Sequence, residues 1–178
     1  MNNKRIIIWG ILKRISIGLC ILFAIYFFLG APMMISGVSM DPNLHDKELA
    51  WIDKIRYLIY KPQRGEVVVF RFPGTRTDLY VKRIIGLPGE KIEIKNQQIY
   101  VNNEILQEIY LDENTIPLNF SSIKLGQNEF FVLGDNRDES NDSRIWGPLN
   151  QKFILGKLDF VFWPLGAKHF IFTPGYNI

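Results

Sequence analysis

Apolar positions fall along the chain in two regimes. From position 15 to 35 they run together, with no charged side chain among them. Beyond that, short apolar stretches alternate with turn residues as far as the C-terminus. About 20 residues of helix at ~1.5 Å each match a hydrocarbon core of ~30 Å. The first regime therefore predicts a membrane-spanning helix over 15–35. Lys4, Arg5, Lys13 and Arg14 precede it. Cations favour the cytoplasmic side, which predicts a cytoplasmic tail over 1–14 and an extracytoplasmic domain over 36–178 at the cell membrane. A cleaved signal peptide fits less well, because the run is long and no clear small-x-small site follows it. Leu19 before Cys20 makes a poor lipid-attachment site.

The second regime predicts strands. Leu49 to Ile52, Glu66 to Phe72 and Leu79 to Ile85 are short apolar or β-branched runs bounded by Gly or Pro. Positions 91–94 and 98–101 alternate strictly around Asn96-Gln97, a hairpin pattern. Positions 130–133, 153–163 and 169–172 complete the set. The segment 103–128 shows little periodicity and reads as a loop or excursion, while 46–60 is ambiguous. The expectation is a mostly β, barrel-like or sandwich-like domain behind a single helix.

Composition narrows the picture. At 178 residues and 47% apolar the chain can bury one sizeable core. A net charge of +3 is far from the strong basic bias of a nucleic-acid binder, and no nucleic-acid partner is expected. The single cysteine excludes an intramolecular disulfide. Two histidines, His45 and His169, are too few for a typical His-rich metal centre, so neither metal nor cofactor is expected. A Ser–His–Asp triad would need one of them beside a serine, and neither sits in a recognisable motif.

Three stretches could carry chemistry. In Gly37-Val38-Ser39-Met40-Asp41-Pro42, a glycine-permitted turn can expose Ser39 and aim backbone N–H groups at a developing oxyanion. The plainer reading of Ser39 is an ordinary turn residue. In Tyr80-Val81-Lys82-Arg83-Ile84-Ile85, alternation puts Lys82 on a face with Tyr80 and Ile84. Burial there would lower its pKa and make it a candidate general base. The plainer reading is a solvated lysine with its stem on apolar surface, and Arg83 reads as a surface charge on the other face. The third stretch, from Gly134-Asp135-Asn136-Arg137 to Arg144, is a dense polar loop. It lacks the glycine and the terminal glutamate of a calcium-binding loop, and the plainer reading is a self-capping turn.

Together, in this order, the stretches resemble the bacterial type I signal peptidases. The resemblance takes in the N-terminal apolar run, Ser39-Met40-Asp41-Pro42, Arg64-Gly65-Glu66-Val67-Val68-Val69-Phe70, the segment from Tyr80 through Gly86-Leu87-Pro88-Gly89-Glu90, and the motif from Gly134 to Arg144. It implies a membrane-anchored serine endopeptidase that removes signal peptides from secreted preproteins. Ser39 would be the nucleophile and Lys82 the general base. Ser140 would orient the lysine amine, and Asp142 with Arg144 would form an ion pair holding the loop. The backbone N–H of Ser39 would contribute to the oxyanion hole. Some members add a serine hydroxyl two positions before the nucleophile, where this chain has Gly37. Ile35, Met40, Leu44, Val69, Tyr80 and Val81 would line shallow pockets for small side chains, with the substrate added as a strand. Membrane lipid would be a second partner. Two other readings use the same residues. A self-cleaving Ser–Lys protease of the SOS-repressor type would need an Ala-Gly or Cys-Gly bond, and the chain has neither. An anchored β-module that binds without cleaving would have no use for an intact Ser39 and Lys82.

Overall fold

A computed structural model describes residues 3–75, 77–111 and 120–176. The chain forms α1 (Asn3–Leu29), β1 (Gly30–Met34), β2 (Leu49–Asp53), α2 (Arg56–Ile59), β3 (Val67–Arg71), β4 (Leu79–Gly86), β5 (Lys91–Lys95) and β6 (Gln98–Val101). It continues through β7 (Glu104–Ile105), β8 (Phe120–Lys124), β9 (Glu129–Leu133), α3 (Ser143–Trp146), β10 (Leu149–Asn150), β11 (Ile154–Trp163) and β12 (His169–Phe170). The mostly β architecture behind one apolar helix is the one expected. Part of the 103–128 segment, residues 112–119, lies outside the described residues.

The 27 residues of α1 include an apolar window, Ile7–Ala24, none of which is buried against protein. The helix stops at Leu29. Gly30–Met34, expected as the last part of the anchor, is instead a strand that pairs antiparallel with β2, Gly30 opposite Asp53 and Met34 opposite Leu49. Gly30 followed closely by Pro32 accounts for the stop, since one ends a helix readily and the other cannot continue it.

The larger sheet runs β1-β2-β11-β3-β4-β9-β10, with β12 also on β11. The smaller runs β7-β6-β5-β8. Alternate residues of a strand face opposite sides, and β3 shows the result. Val67 and Val69 join a core with Ile35, Met40, Leu44, Ala50 and Leu158. Val68 and Phe70 join another with Ile84, Phe130 and Val132. A third core lies where Ile85, Phe131 and Leu133 meet Ile92, Ile94 and Ile99 of the small sheet. Every residue of β4 from Val81 to Gly86 is consequently buried. A charged residue at these positions is largely shut off from bulk water.

Candidate active site

Ser39 stands in the loop from β1 to β2, and the loop's own residues set its position. The loop is closed at its base, where Ile35 N donates to Glu48 O at 2.8 Å and Lys47 N to Ile35 O at 2.9 Å. Met40 and Leu44 point into the core and are almost wholly buried. Gly37 adopts φ +93°, a conformation that a side chain would strain. Its N–H donates to Asp46 Oδ1 at 2.8 Å.

The polar loop grips the same turn from the other side. Asn136 N donates to Ser39 O at 3.2 Å, and Asn136 Nδ2 donates to Val38 O at 3.2 Å. Gly134 allows this approach, because a Cβ there would collide with the Ser39 carbonyl and with Ser140 Oγ. Asp142 takes Arg144 in a two-pronged ion pair, Nε to Oδ1 and Nη2 to Oδ2, both 2.8 Å. Asp142 also accepts from Gly134 N at 3.1 Å, which ties the pair to the turn beside the serine.

Ser39 Oγ and Lys82 Nζ lie 2.6 Å apart. Ser39 is half-buried, while Lys82 is 3% exposed with its ammonium 5.7 Å from the centre of the Tyr80 ring. No carboxylate among the described residues comes within ion-pair distance of it. Burial is the main influence and pulls its pKa down to about 8; Asp142 and Asp135 pull back upward, and Arg144 assists the lowering. An amine so placed can accept the proton of the hydroxyl it touches. Neither histidine approaches this pair. His45 contacts Asp41, and His169 contacts the backbone of Ala167 and Asn43.

A cleft of about 630 Å³ opens at the pair, between Met33–Met40 on one side and Leu79–Lys82 on the other. Each wall includes a strand edge that is unpaired among the described residues: there β1 pairs with β2 alone, and β4 pairs with β9 from Arg83 onward. Ile35, Met40, Tyr80 and Val81 line the cleft. Leu44 and Val69 do not. They have no exposed surface and pack in the core, Val69 because its strand is covered on both faces. Ser140, expected to orient the amine, makes no hydrogen bond to it, and its buried hydroxyl has no partner among the described residues. A second cavity of about 530 Å³, lined by Trp51, Lys157 and Phe170, contains neither Ser39 nor Lys82.

Arg83 is a correction to the sequence reading. It is fully buried, not a surface charge, and is held by Asp135 through Nε to Oδ1 at 2.8 Å and Nη2 to Oδ2 at 2.7 Å. Asn43 Nδ2 donates to the same carboxylate at 3.0 Å, linking the serine loop to this pair. Arg64 makes a similar bidentate pair with Glu90, at 2.6 and 2.9 Å. Neither ion pair was identified from the sequence. The available signal was the unbroken apolar run around Lys82-Arg83, which marks a strand covered on both faces.

A family model described as signal peptidase, peptidase S26, matches residues 8–163. Signal peptidase IB of Staphylococcus aureus is 36% identical over 189 residues, covering 97% of each chain. Signal peptidase I P of Bacillus subtilis subsp. natto is 38% identical over 174 residues, covering 92% of each. The crystal structure of a signal peptidase I from Enterococcus faecalis V583 superposes with a TM-score of 0.50 at 34% identity, over 56% of this chain and 98% of that one. None of these favours a self-cleaving repressor or a non-cleaving module. By sequence across nearly its whole length and by the fold of its β domain, this chain belongs to the signal peptidase family, peptidase S26.

Proposed function

We propose that this signal-peptide-removing serine peptidase works through Ser39 as nucleophile and Lys82 as general base. The observation that carries the reading is the 2.6 Å approach of Ser39 Oγ to Lys82 Nζ in a pocket that disfavours the charged amine. With a pKa of about 8, roughly a tenth of the lysine is neutral at pH 7, about 300-fold more than for an ordinary lysine. The neutral amine takes the hydroxyl proton as Oγ attacks the scissile carbonyl. The resulting ammonium then protonates the departing amine, leaving an acyl-serine. Water, deprotonated by the same lysine, releases the acid and restores the enzyme. Ser39 N–H, which no described residue accepts, is available to the oxyanion, and Gly37 offers no side-chain donor.

The substrate is a preprotein whose segment before the cut lies in the cleft as an added strand, using these edges of β1 and β4. Ile35, Met40, Tyr80 and Val81 leave room for small side chains there. In this reading α1 crosses the cell membrane once, with the four N-terminal cations in the cytoplasm and residues 36–178 outside.

Incubation of the detergent-solubilised chain with a preprotein tests the assignment. Cleavage is expected to vanish in Ser39→Ala and in Lys82→Ala, and parental activity is expected to rise about tenfold per pH unit up to pH ~8, then level off. A Ser39→Ala protein that still cuts would remove the nucleophile. A profile flat from pH 6 to 9 (roughly the range an amine of this kind controls) would remove the base.

A further inference from the structure

The geometry points to Glu139 as a specificity-determining residue, which favours preproteins carrying a lysine or arginine among the first residues after the cut. This rests on the Ser39–Lys82 reading above. Among the residues that line the cleft, only Lys82 and Glu139 carry a full charge. The lysine is engaged with the serine hydroxyl. The glutamate has no task in the chemistry.

The polar loop holds four carboxylates, Asp135, Asp138, Glu139 and Asp142. Asp135 and Asp142 are buried and neutralised by Arg83 and Arg144. Asp138 and Glu139 are exposed, and neither enters an ion pair among the described residues. Of these two, Glu139 lines the cleft. A negative charge left open in a binding cleft attracts a cation there and repels an anion. The position of Glu139 relative to the nucleophile is fixed through the backbone. Glu139 N donates to Asn136 Oδ1 at 3.3 Å, and Asn136 donates to the carbonyls of Ser39 and Val38, each at 3.2 Å. Ser140, the next residue, and the Ser39 carbonyl both crowd the place where Gly134 would carry a Cβ. One side chain, Asn136, thus couples Glu139 to the turn that carries Ser39.

The walls of the cleft indicate which side of the cut it faces. β1 leads toward Ser39 from Met33, and β4 leads toward Lys82 from Leu79. The segment before the cut, added as a strand between them, fills that end. Glu139 and Asn141 belong instead to the loop that grips Val38 and Ser39, where the strands give out. Chain on the far side of the scissile bond passes them. The charges that weigh most on Lys82 come from Asp142, Asp135 and Arg144. Glu139 therefore acts on the substrate and not on the amine. Upstream the cleft is apolar and selects by size, and downstream it selects by charge.

Competition between preproteins tests this. The detergent-solubilised full-length chain is given pairs that differ in one residue, Lys against Glu, at the first, second or third position after the cut, or at the second position before it. The ratio of kcat/KM within each pair is read at low and at high salt. The parent is expected to favour Lys by about threefold to tenfold at one or more positions after the cut, with the ratio falling toward unity near ~1 M salt. Glu139→Gln is expected to bring the low-salt ratio close to unity without moving the pH midpoint of cleavage, and Glu139→Lys to invert the ratio. Asp138→Asn, which removes the neighbouring charge outside the cleft, is expected to keep most of the preference. A parent that cuts both members of every pair alike overturns the proposal. So does a preference that survives Glu139→Gln, that ignores salt, or that is confined to the position before the cut. A pH midpoint that moves in Glu139→Gln while the ratio stays would assign the carboxylate to Lys82, and overturns it too. Ser39→Ala keeps the two readings apart. Cleavage that persists in it removes the nucleophile, whereas its loss, together with equal ratios in the parent, removes only the role of Glu139.

Discussion

Lys82 and Arg83 are neighbours on β4, are equally buried, and meet opposite fates. Arg83 faces the side of Val67 and is surrounded by acceptors: both oxygens of Asp135, the carbonyls of Gly65 and Phe172, and the Tyr110 ring at 4.1 Å. Burial pulls its pKa down, but the Asp135 hydrogen bonds and charge outweigh that, and the net shift is upward. Lys82 faces the side of Val68, with a serine hydroxyl as its hydrogen-bond partner and no carboxylate in contact. Its pKa falls to about 8. The same loss of water produces a permanent cation on one face and a usable base on the other. The difference lies in what replaces the water: a carboxylate repays the cost of burying charge, and a lone hydroxyl does not.

Removing the repayment gives the largest stability change. Asp135→Asn leaves the Arg83 guanidinium buried without its counter-charge, at a cost of about 3–5 kcal/mol in chemical denaturation. The double change Arg83→Met with Asp135→Leu is expected to recover most of that loss, since both charges leave together. A single Asp135→Asn variant as stable as its parent would show that the pair does not hold the face together.

Lys82→Met is expected to shift stability the other way while abolishing cleavage. A folded pKa below the unfolded one means that the fold penalises the protonated lysine. That penalty is complete below pH ~8 and fades as pH rises from there to ~10.5, where both states have lost the proton. Methionine escapes it, which is worth roughly 3 kcal/mol at neutral pH and much less at pH ~10. Unfolding of the two proteins at both pH values tests this. A methionine variant less stable than its parent at pH ~7 would mean that Lys82 is better solvated than its geometry implies.

The asymmetry of the two cations was only half legible in the sequence. Alternation put Lys82 beside Tyr80 and Ile84, and that is where it lies. The same alternation sent Arg83 to water, because the rule assumes that one face of a strand is wet. In this chain Val81 to Gly86 are buried on both faces, so every charged residue there needs a partner from elsewhere. Asp135 is that partner, 52 positions away, and nothing local links the two. The strand ladder was readable because Gly and Pro mark its turns. β8 was not readable, since it is five residues with a mostly exposed pattern that lacks a strict period. The end of α1 was written as Gly30-Ala31-Pro32, but the apolar run continues through it and conceals the boundary.

The smallest expected effect is at Ser140. By family resemblance its hydroxyl would orient the lysine, yet it is buried, has no hydrogen-bond partner among the described residues and makes no hydrogen bond to Lys82. An unpaired buried hydroxyl costs about 1–3 kcal/mol relative to a satisfied one. Ser140→Ala removes that cost and leaves only a small void, so stability should stay within about 1 kcal/mol of the parent and lean toward gain. If the hydroxyl stays apart from the amine throughout the reaction, the rise in activity toward pH ~8 keeps its midpoint and kcat falls by less than about threefold. If substrate swings it onto Lys82, the midpoint moves and kcat falls by about tenfold or more. The first outcome is the one expected, because Ser140 Oγ lies close against Gly134, where a Cβ would come within 2.3 Å of it, and makes no hydrogen bond to Lys82.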